Sequence, residues 1–301
     1  MRKRDMAIVG AAGAAGALLG VFGVRAAARE VVARESRGRM RSKWVPVDGM
    51  RVHMRVPRER VSPCAVPVVL VHGAVIGSAY MVPLALELAP EFPVFAPDLP
   101  GHGESTAPEQ PLELVEMADV LVRWLDAVGL ERAAFVGHSL GSQIVAHVAA
   151  RHPERVDRLV LIGPTTDRDA RTSREQIARL ARDGRREKAS LWVLESEAYF
   201  RAGLRRSRAE LRMSMDDRIE ETLARVTVPT LVVRGADDPL VSQQWAEEVA
   251  QVARADRLIV VPEAGHAVHH SAPDVVAREI RPFLREGQAE PEARAVAVEG
   301  R

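Results

Sequence analysis

The stretch Gly137-His138-Ser139-Leu140-Gly141 stands between an apolar segment of strand type, residues 132–136, and a segment of helical type, residues 142–151. A serine on a sharp turn between a strand and a helix needs glycine two positions before and after it, because a Cβ there would collide with neighbouring backbone. Such a turn pushes the serine hydroxyl out at the carboxyl end of a sheet. The stretch therefore predicts a nucleophile elbow at Ser139, with an ordinary glycine-flanked turn as the alternative.

Short buried strands alternate with helical segments on both sides of this motif. Two alternating segments joined at Asp48-Gly49 predict a β-hairpin. Apolar runs predict inner strands of a parallel sheet, and they occupy residues 67–71, 93–97, 159–162, 229–234 and 257–261. The sequence therefore predicts an α/β fold with a doubly wound, mostly parallel sheet.

The strand pattern is interrupted once. Residues 165–225 carry no buried strand run and consist of arginine-rich helical stretches. We interpret them as a helical insertion near the upper face of the sheet, and we assign the core to residues 43–164 and 226–286. Residues 287–301, rich in Ala, Glu and Arg, show no periodicity and are predicted to be disordered.

Composition excludes several classes of function. The chain has 301 residues and a net charge of +1, so it has no basic field of the kind that nucleic-acid binding requires. Its single cysteine, Cys64, excludes an intramolecular disulfide and a cysteine-rich metal site. We expect no nucleic-acid partner.

The amino terminus, residues 1–42, combines an uncharged apolar segment with a basic linker. Residues 6–24 carry no charge and would span about 28 Å as a helix, close to the thickness of a bilayer core. Glycines recur at spacings of three and four along one helix face, as close helix pairing in a membrane requires: Gly10, Gly13, Gly16, Gly20 and Gly23. The segment predicts a transmembrane helix and membrane association, with a cleaved signal peptide or a poorly ordered tail on a cytoplasmic enzyme as alternatives.

A serine nucleophile needs a base and an acid that orients the base. Loops at the carboxyl ends of parallel strands meet above the elbow. The strand at residues 229–234 is followed by Gly235-Ala236-Asp237-Asp238, and the strand at residues 257–261 is followed by Gly265-His266. The order Ser, Asp, His predicts a catalytic set with His266 as base and one of the two aspartates as acid.

With these motifs the chain resembles the α/β-hydrolase superfamily, in the lid-bearing branch of serine esterases, carbon–carbon bond hydrolases and cofactor-free haloperoxidases. The resemblance runs from about Lys43 to Arg285 and rests on five stretches: His72-Gly73, Asp98 through Ser105, Gly137 through Gly141, Gly235 through Asp238, and Gly265-His266. It implies an α/β-hydrolase fold with a helical lid. Its Gly-x-x-Asp pattern implies Asp238, and not Asp237, as the acid.

Two backbone amides should stabilise the oxyanion, those of Ala74 and Leu140. Val75 and Ile76 should contact an apolar acyl group. No cofactor is expected. The histidines His266, His269 and His270 have no acidic or cysteine partner at ligand spacing, so no metal is expected either.

Serine at the elbow, in place of the aspartate of related dehalogenases and epoxide hydrolases, implies acyl transfer. The first hypothesis is hydrolysis of a carboxylic ester of small, apolar character. Two alternatives stay open: a carbon–carbon bond hydrolase of ring-cleavage products, with a lid arginine on a dienoate carboxylate, and a ligand-binding protein without turnover. Ten basic residues against five acidic ones in residues 179–212 would attract anionic lipid or a substrate carboxylate, although a solvated helix face is the favoured explanation. Oligomeric state stays open.

Overall fold

The computed structural model describes residues 23–59, 65–184 and 187–286. Within these ranges eight strands form one sheet. They are β1 Met40–Val47, β2 Met50–Pro57, β3 Val68–Val71, β4 Val94–Pro97, β5 Ala133–His138, β6 Val156–Ile162, β7 Thr230–Gly235 and β8 Arg257–Val261. The predicted disordered tail at residues 287–301, Cys64, Arg185 and Arg186 lie outside the described residues.

The strand order is β1-β2-β4-β3-β5-β6-β7-β8. β2 runs antiparallel to β1 and to β4, and the neighbours from β4 to β8 are parallel. The predicted hairpin turn has positive φ at both central residues, 49° at Asp48 and 76° at Gly49, as a two-residue turn of type I′ requires. The predicted α/β fold with a mostly parallel sheet is confirmed.

Ten helices connect or flank these strands in the described ranges. They are α1 at residues 23–36, α2 Val82–Leu88, α3 Leu114–Val128, α4 Leu140–Arg151, α5 Ser173–Asp183, α6 Ala189–Asp216, α7 Ile219–Leu223, α8 Gln243–Val252, α9 Val268–Ser271 and α10 Pro273–Arg285. Because side chains alternate along a strand, Val69 of β3 packs into the core under α3, α4 and α8, while Leu70 packs into the core under α2 and α10. Helices therefore cover both faces of the sheet.

The segment between β6 and β7 is helical, as predicted. We call α5, α6 and the residues between them the lid. Helix α6 is interrupted at Gly203, where φ is 70° and ψ is 168°. Large apolar side chains of α6 stay exposed, among them Phe200 at 61% and Leu204 at 75%. Other apolar lid side chains, such as Ile177 and Leu180, line the same cavity as Ser139.

The predicted membrane helix needs correction. No helix in residues 23–59, 65–184 and 187–286 is both long and apolar enough to cross a bilayer. Of the predicted segment, residues 6–22 lie outside the described residues, and residues 23–24 begin α1. That helix cannot extend an apolar span, because it carries five charged side chains: Arg25, Arg29, Glu30, Arg34 and Glu35. For the described chain, the predicted transmembrane helix and the membrane localisation drawn from it are wrong.

Candidate active site

The elbow places Ser139 in strained backbone between β5 and α4. Its φ is 54° and its ψ is −121°, a conformation that residues with a side chain rarely adopt. A Cβ on Gly137 would lie 2.5 Å from the carbonyl oxygen of Gly141, and a Cβ on Gly141 would lie 2.5 Å from that of His72. Both glycines are therefore needed for the close approach of strand, turn and helix, which is the geometry that the sequence predicted.

His266 and Asp238 form a hydrogen-bonded pair at the carboxyl end of the sheet. His266 Nδ1 donates to Asp238 Oδ2 at 2.8 Å, and both side chains are buried. Asp238 Oδ1 accepts the backbone N–H groups of Leu240, at 2.7 Å, and Val241, at 3.1 Å. The neighbouring Asp237 is exposed. The carboxylate is thus held by its own loop and turned towards the imidazole.

Ser139 and His266 line one cavity of about 230 Å³. His266 Nε2 is buried and accepts no hydrogen bond from a described residue, so Ser139 Oγ does not bond to it here. Such contacts are often loose before substrate binds and tighten in the substrate complex. The cavity brings the predicted nucleophile and base to the same space, with the base's acceptor nitrogen unoccupied.

The loop after β3 lies directly against the nucleophile. A Cβ built on Gly73 would sit 3.2 Å from Ser139 Cβ. Ala74, Val75 and Ile76 all line the cavity. Val75 has a φ of 66°, so this loop also contains strained backbone. Ala74, the predicted oxyanion donor, and Val75 and Ile76, the predicted contacts of the acyl group, therefore all lie at the cavity.

Leu140 occupies a different position. It is the first residue of α4, so its amide lies at the amino end of that helix, where backbone N–H groups and the helix dipole favour an anion. Its side chain is buried at 1% exposure and packs in the core under α4. Leu140 can therefore contribute its backbone to the site, while its side chain supports the fold.

Three lid carboxylates accept backbone N–H groups from the two loops that frame the cavity. Asp183 Oδ1 accepts from His266 at 3.0 Å, and Glu187 Oε1 accepts from Ala267 at 3.0 Å. On the opposite side Glu210 Oε2 accepts from Val75 at 2.5 Å. The loop that follows β8 and carries His266 is called the histidine loop here. The lid is thus bound to both the histidine loop and the loop after β3 through charge-assisted hydrogen bonds.

Glu210 is fully buried and has a second partner. Its Oε1 lies 3.0 Å from His102 Nε2, in the loop that follows β4. Burial alone would raise the pKa of Glu210, but His102 and the Val75 amide outweigh it and hold that pKa below its ordinary value. A negative charge is therefore kept behind the loop after β3 and fixes Val75.

The electrostatics of His266 are set by carboxylates. Burial would lower its pKa, but Asp238 outweighs burial through charge and hydrogen bonding, and Asp183 and Glu187 add to it, so that the pKa rises to about 9. A base must be neutral to accept a proton. We therefore expect kcat/KM to rise with pH and to reach half its maximum well above pH 6.5, the ordinary value for histidine.

Removal of one lid charge should move this midpoint. In Glu187→Gln the imidazolium loses a nearby negative charge, so the midpoint shifts to lower pH and kcat/KM at pH 7 rises by about 3-fold. Glu263→Gln, an exposed carboxylate just before the same loop, is the matched control and should leave the profile unchanged. The measurement is a pH profile of kcat/KM for the three proteins, and a midpoint near pH 6.5 in the unsubstituted protein would contradict the expectation.

Several residues of the site carried no signal in the sequence. In the sequence, the lid acids Asp183, Glu187, Glu195 and Glu210 belong only to the acidic minority of a basic segment. Tyr80, which lines the cavity together with Glu195, belongs to no motif. Within the described ranges, no group of three or more His, Cys, Asp and Glu side chains is arranged to hold a metal ion.

Comparison with known proteins finds a matching family model, related hydrolases and a solved structure of similar fold. The model of the alpha/beta hydrolase family matches residues 68–279. Esterase YbfF of Escherichia coli (strain K12) is 29% identical over 242 residues, 73% of this chain and 93% of the relative. The 2-(acetamidomethylene)succinate hydrolase of Mesorhizobium japonicum is 27% identical over 238 residues, 71% of this chain and 86% of the relative. The solved structure of a membrane phospholipase A aligns with a TM-score of 0.71 and 21% identity, covering 94% of this chain and 98% of that one. This last likeness concerns the fold alone.

Proposed function

The chain belongs to the α/β-hydrolase family, and from this premise we propose that it is a serine hydrolase that cleaves an uncharged carboxylic ester through an acyl-enzyme. The observation that carries the proposal is the shared cavity. Ser139, on its strained elbow, and His266, backed by Asp238, both line it, and no described residue donates to His266 Nε2. These are the parts that nucleophilic acyl transfer requires.

The steps follow from these positions. Ser139 Oγ attacks the ester carbonyl while His266 Nε2 takes its proton, and the negative oxygen is received by the backbone N–H groups of Ala74 and Leu140. Asp238 stabilises the imidazolium. The imidazolium then gives its proton to the departing alkoxide, the C–O bond breaks, and an acyl-enzyme remains. Water repeats the sequence, with His266 again as base, and releases the carboxylic acid and Ser139.

The wall of the cavity favours an uncharged acyl group. Its apolar lining comes from both the core and the lid: Val75, Ile76, Ile177, Leu180, Leu204, Leu211 and Leu240. The same wall contains Glu195. Burial, together with the carboxylates of Glu187 and Asp183, raises the pKa of Glu195 to about 7, which means that negative charge is already unfavourable there. A substrate carboxylate next to Glu195 would meet the same penalty.

The alternative of a carbon–carbon bond hydrolase depends on an arginine that holds a substrate carboxylate. Arg208 lines the cavity, but it is exposed. Two other lid arginines are paired within the protein, Arg179 with Asp167 and Arg201 with Glu197. The relative from Mesorhizobium japonicum is named for a succinate derivative, so the charge of the substrate is the property that separates the two functions.

A panel of substrates tests this choice. We expect nitrophenyl esters of neutral acyl groups to be hydrolysed with a higher kcat/KM than the nitrophenyl monoester of succinate, and a vinylogous diketone carboxylate to be left intact. In Glu195→Gln the ratio of succinate ester to neutral ester should rise by about 5-fold at pH 8, and by less at pH 6, where the carboxyl is already protonated.

Glu221→Gln, an exposed glutamate of α7, is the control and should leave the ratio unchanged. Preference for the anionic ester in the unsubstituted protein would contradict the role of Glu195 and favour Arg208 as a carboxylate anchor. Cleavage of the diketone in preference to all esters would replace the proposed function by the carbon–carbon alternative.

A further inference from the structure

Tyr80 and His138 join three separate segments of the candidate site. Tyr80 lies in the 3₁₀ turn Ser78–Met81, and His138 is the residue directly before Ser139. Both are buried, each at 3% exposure. The Tyr80 hydroxyl oxygen lies 2.6 Å from the backbone nitrogen of Gly73 and 2.7 Å from His138 Nδ1. His138 Nε2 lies 3.0 Å from the backbone oxygen of His266.

The direction of each hydrogen bond in this series is fixed by the two backbone groups at its ends, the Gly73 amide and the His266 carbonyl. The amide of Gly73 can only donate, so the Tyr80 hydroxyl oxygen accepts there. The carbonyl oxygen of His266 can only accept, so His138 Nε2 carries a proton and donates it to that oxygen. In the neutral imidazole Nδ1 is then an acceptor, and the Tyr80 hydroxyl donates its own proton to it. The sequence runs from Gly73 through Tyr80 and His138 to His266 without a conflict.

This series of hydrogen bonds needs a neutral His138 and a protonated Tyr80, and burial favours both states. Burial, with His269 and His266 beside it, lowers the pKa of His138 well below its ordinary value, so the ring is neutral. Burial raises the pKa of the Tyr80 hydroxyl, so it keeps its proton. The ring of His138 also packs against that of His266, with 4.7 Å between the centroids. In these states neither side chain exchanges a proton with the substrate.

We propose that Tyr80 and His138 are positioning residues that couple the loop after β3, which carries Ala74, to the catalytic base His266. This inference rests on the proposed function. By holding the N–H of Gly73, Tyr80 fixes the peptide that leads to the Ala74 amide, one of the two proposed oxyanion donors. By holding the carbonyl of His266, His138 fixes the main chain of the base, whose ring is held separately by Asp238. One hydrogen-bonded pair thus sets the distance between the group that binds the oxyanion and the group that moves the proton.

The test is Tyr80→Phe, which removes one hydroxyl and keeps the ring. Gly73 loses its acceptor, and His138 loses the donor that selects its tautomer. We expect kcat for a neutral nitrophenyl ester, per active site titrated with a fluorophosphonate, to fall by about 10–100-fold while KM changes by less than about 3-fold. Thr230→Val, which removes a buried hydroxyl that donates to the nearby Val228 carbonyl, is the matched control and should keep kcat within about 2-fold.

Histidine variants separate positioning from mere packing. His138→Gln keeps an N–H donor for the His266 carbonyl, whereas His138→Leu keeps none, so the former should retain more kcat. This pair also carries the test if Tyr80→Phe does not fold. In ¹⁵N-histidine NMR spectra, the resonance assigned to His138 through these variants should report the Nε2–H tautomer in the unsubstituted protein and a shift away from it in Tyr80→Phe.

The outcomes are distinct. Unchanged kcat in Tyr80→Phe with an active unsubstituted protein overturns the coupling and leaves the proposed function standing. Equal loss in the Gln and Leu variants of His138, or an Nδ1–H tautomer, also overturns it. An unsubstituted protein that shows the Nε2–H tautomer, yet neither turns over esters nor reacts with the fluorophosphonate, overturns the proposed function and the coupling with it.

Discussion

Replacement of Ser139 by alanine is expected to lower kcat by about 10⁶-fold, because removal of the nucleophile of a serine triad abolishes acyl-enzyme formation and leaves only binding and oxyanion stabilisation. The loss should not come from unfolding. Alanine carries a Cβ as serine does, so the left-handed backbone at φ 54° is equally strained in both proteins. The measurement is kcat for a nitrophenyl ester, with thermal unfolding recorded on the same samples.

A second serine provides the control. Ser271, whose hydroxyl bonds to the Ala267 carbonyl, follows the histidine loop without lining the cavity. Ser271→Ala should retain kcat within about 2-fold. If Ser139→Ala turned over the ester at a comparable rate, the hydrolysis would not proceed through this elbow.

Replacement of Asp238 by alanine is expected to lower kcat by about 10⁴-fold, whereas Asp237→Ala should lower it by less than about 3-fold. Asp238 Oδ2 holds His266 Nδ1 at 2.8 Å, so its loss frees the imidazole to rotate and to adopt the wrong tautomer. Asp237 is exposed, so solvent screens its charge from the site. A steady-state comparison of the two variants with one ester measures the difference.

The pH profile adds a second readout for the same pair. Loss of the Asp238 carboxylate removes the main influence that raises the pKa of His266, so the residual activity should titrate at lower pH. A large loss in Asp237→Ala together with near-normal activity in Asp238→Ala would reverse the assignment of the acid.

The fold could be predicted from local patterns because its key features are local. Continuous apolar runs predict the inner strands, and Asp48-Gly49 predicts the hairpin, in which both residues have positive φ angles. The glycine pair Gly137 and Gly141 predicts the elbow. Helix α1 could not be predicted in the same way. Its apolar face is narrow, with Ala28 buried and charged residues in every turn, so the sequence predicts only a basic linker within residues 1–42.

The residues of the site also differ in whether a local sequence pattern indicates them. Ser139, Asp238 and His266 each follow a strand at a characteristic spacing, so a single sequence could indicate them. The lid carboxylates follow no spacing at all. Glu210 reaches the amide of Val75 across 135 positions of sequence, and that contact exists only because the lid folds back over the sheet. Tyr80 is a similar case, since its turn meets His138 through tertiary packing.

The role of Ser139 is tested most directly by reaction of the folded protein with a fluorophosphonate, followed by peptide mass spectrometry. Ser139 Oγ should displace fluoride from phosphorus, with His266 taking the proton. We expect one adduct, on the peptide that contains Ser139, which is absent from Ser139→Ala and from the protein unfolded in urea. No adduct on the folded protein, or an adduct that forms equally after unfolding, would contradict a catalytic serine at the elbow.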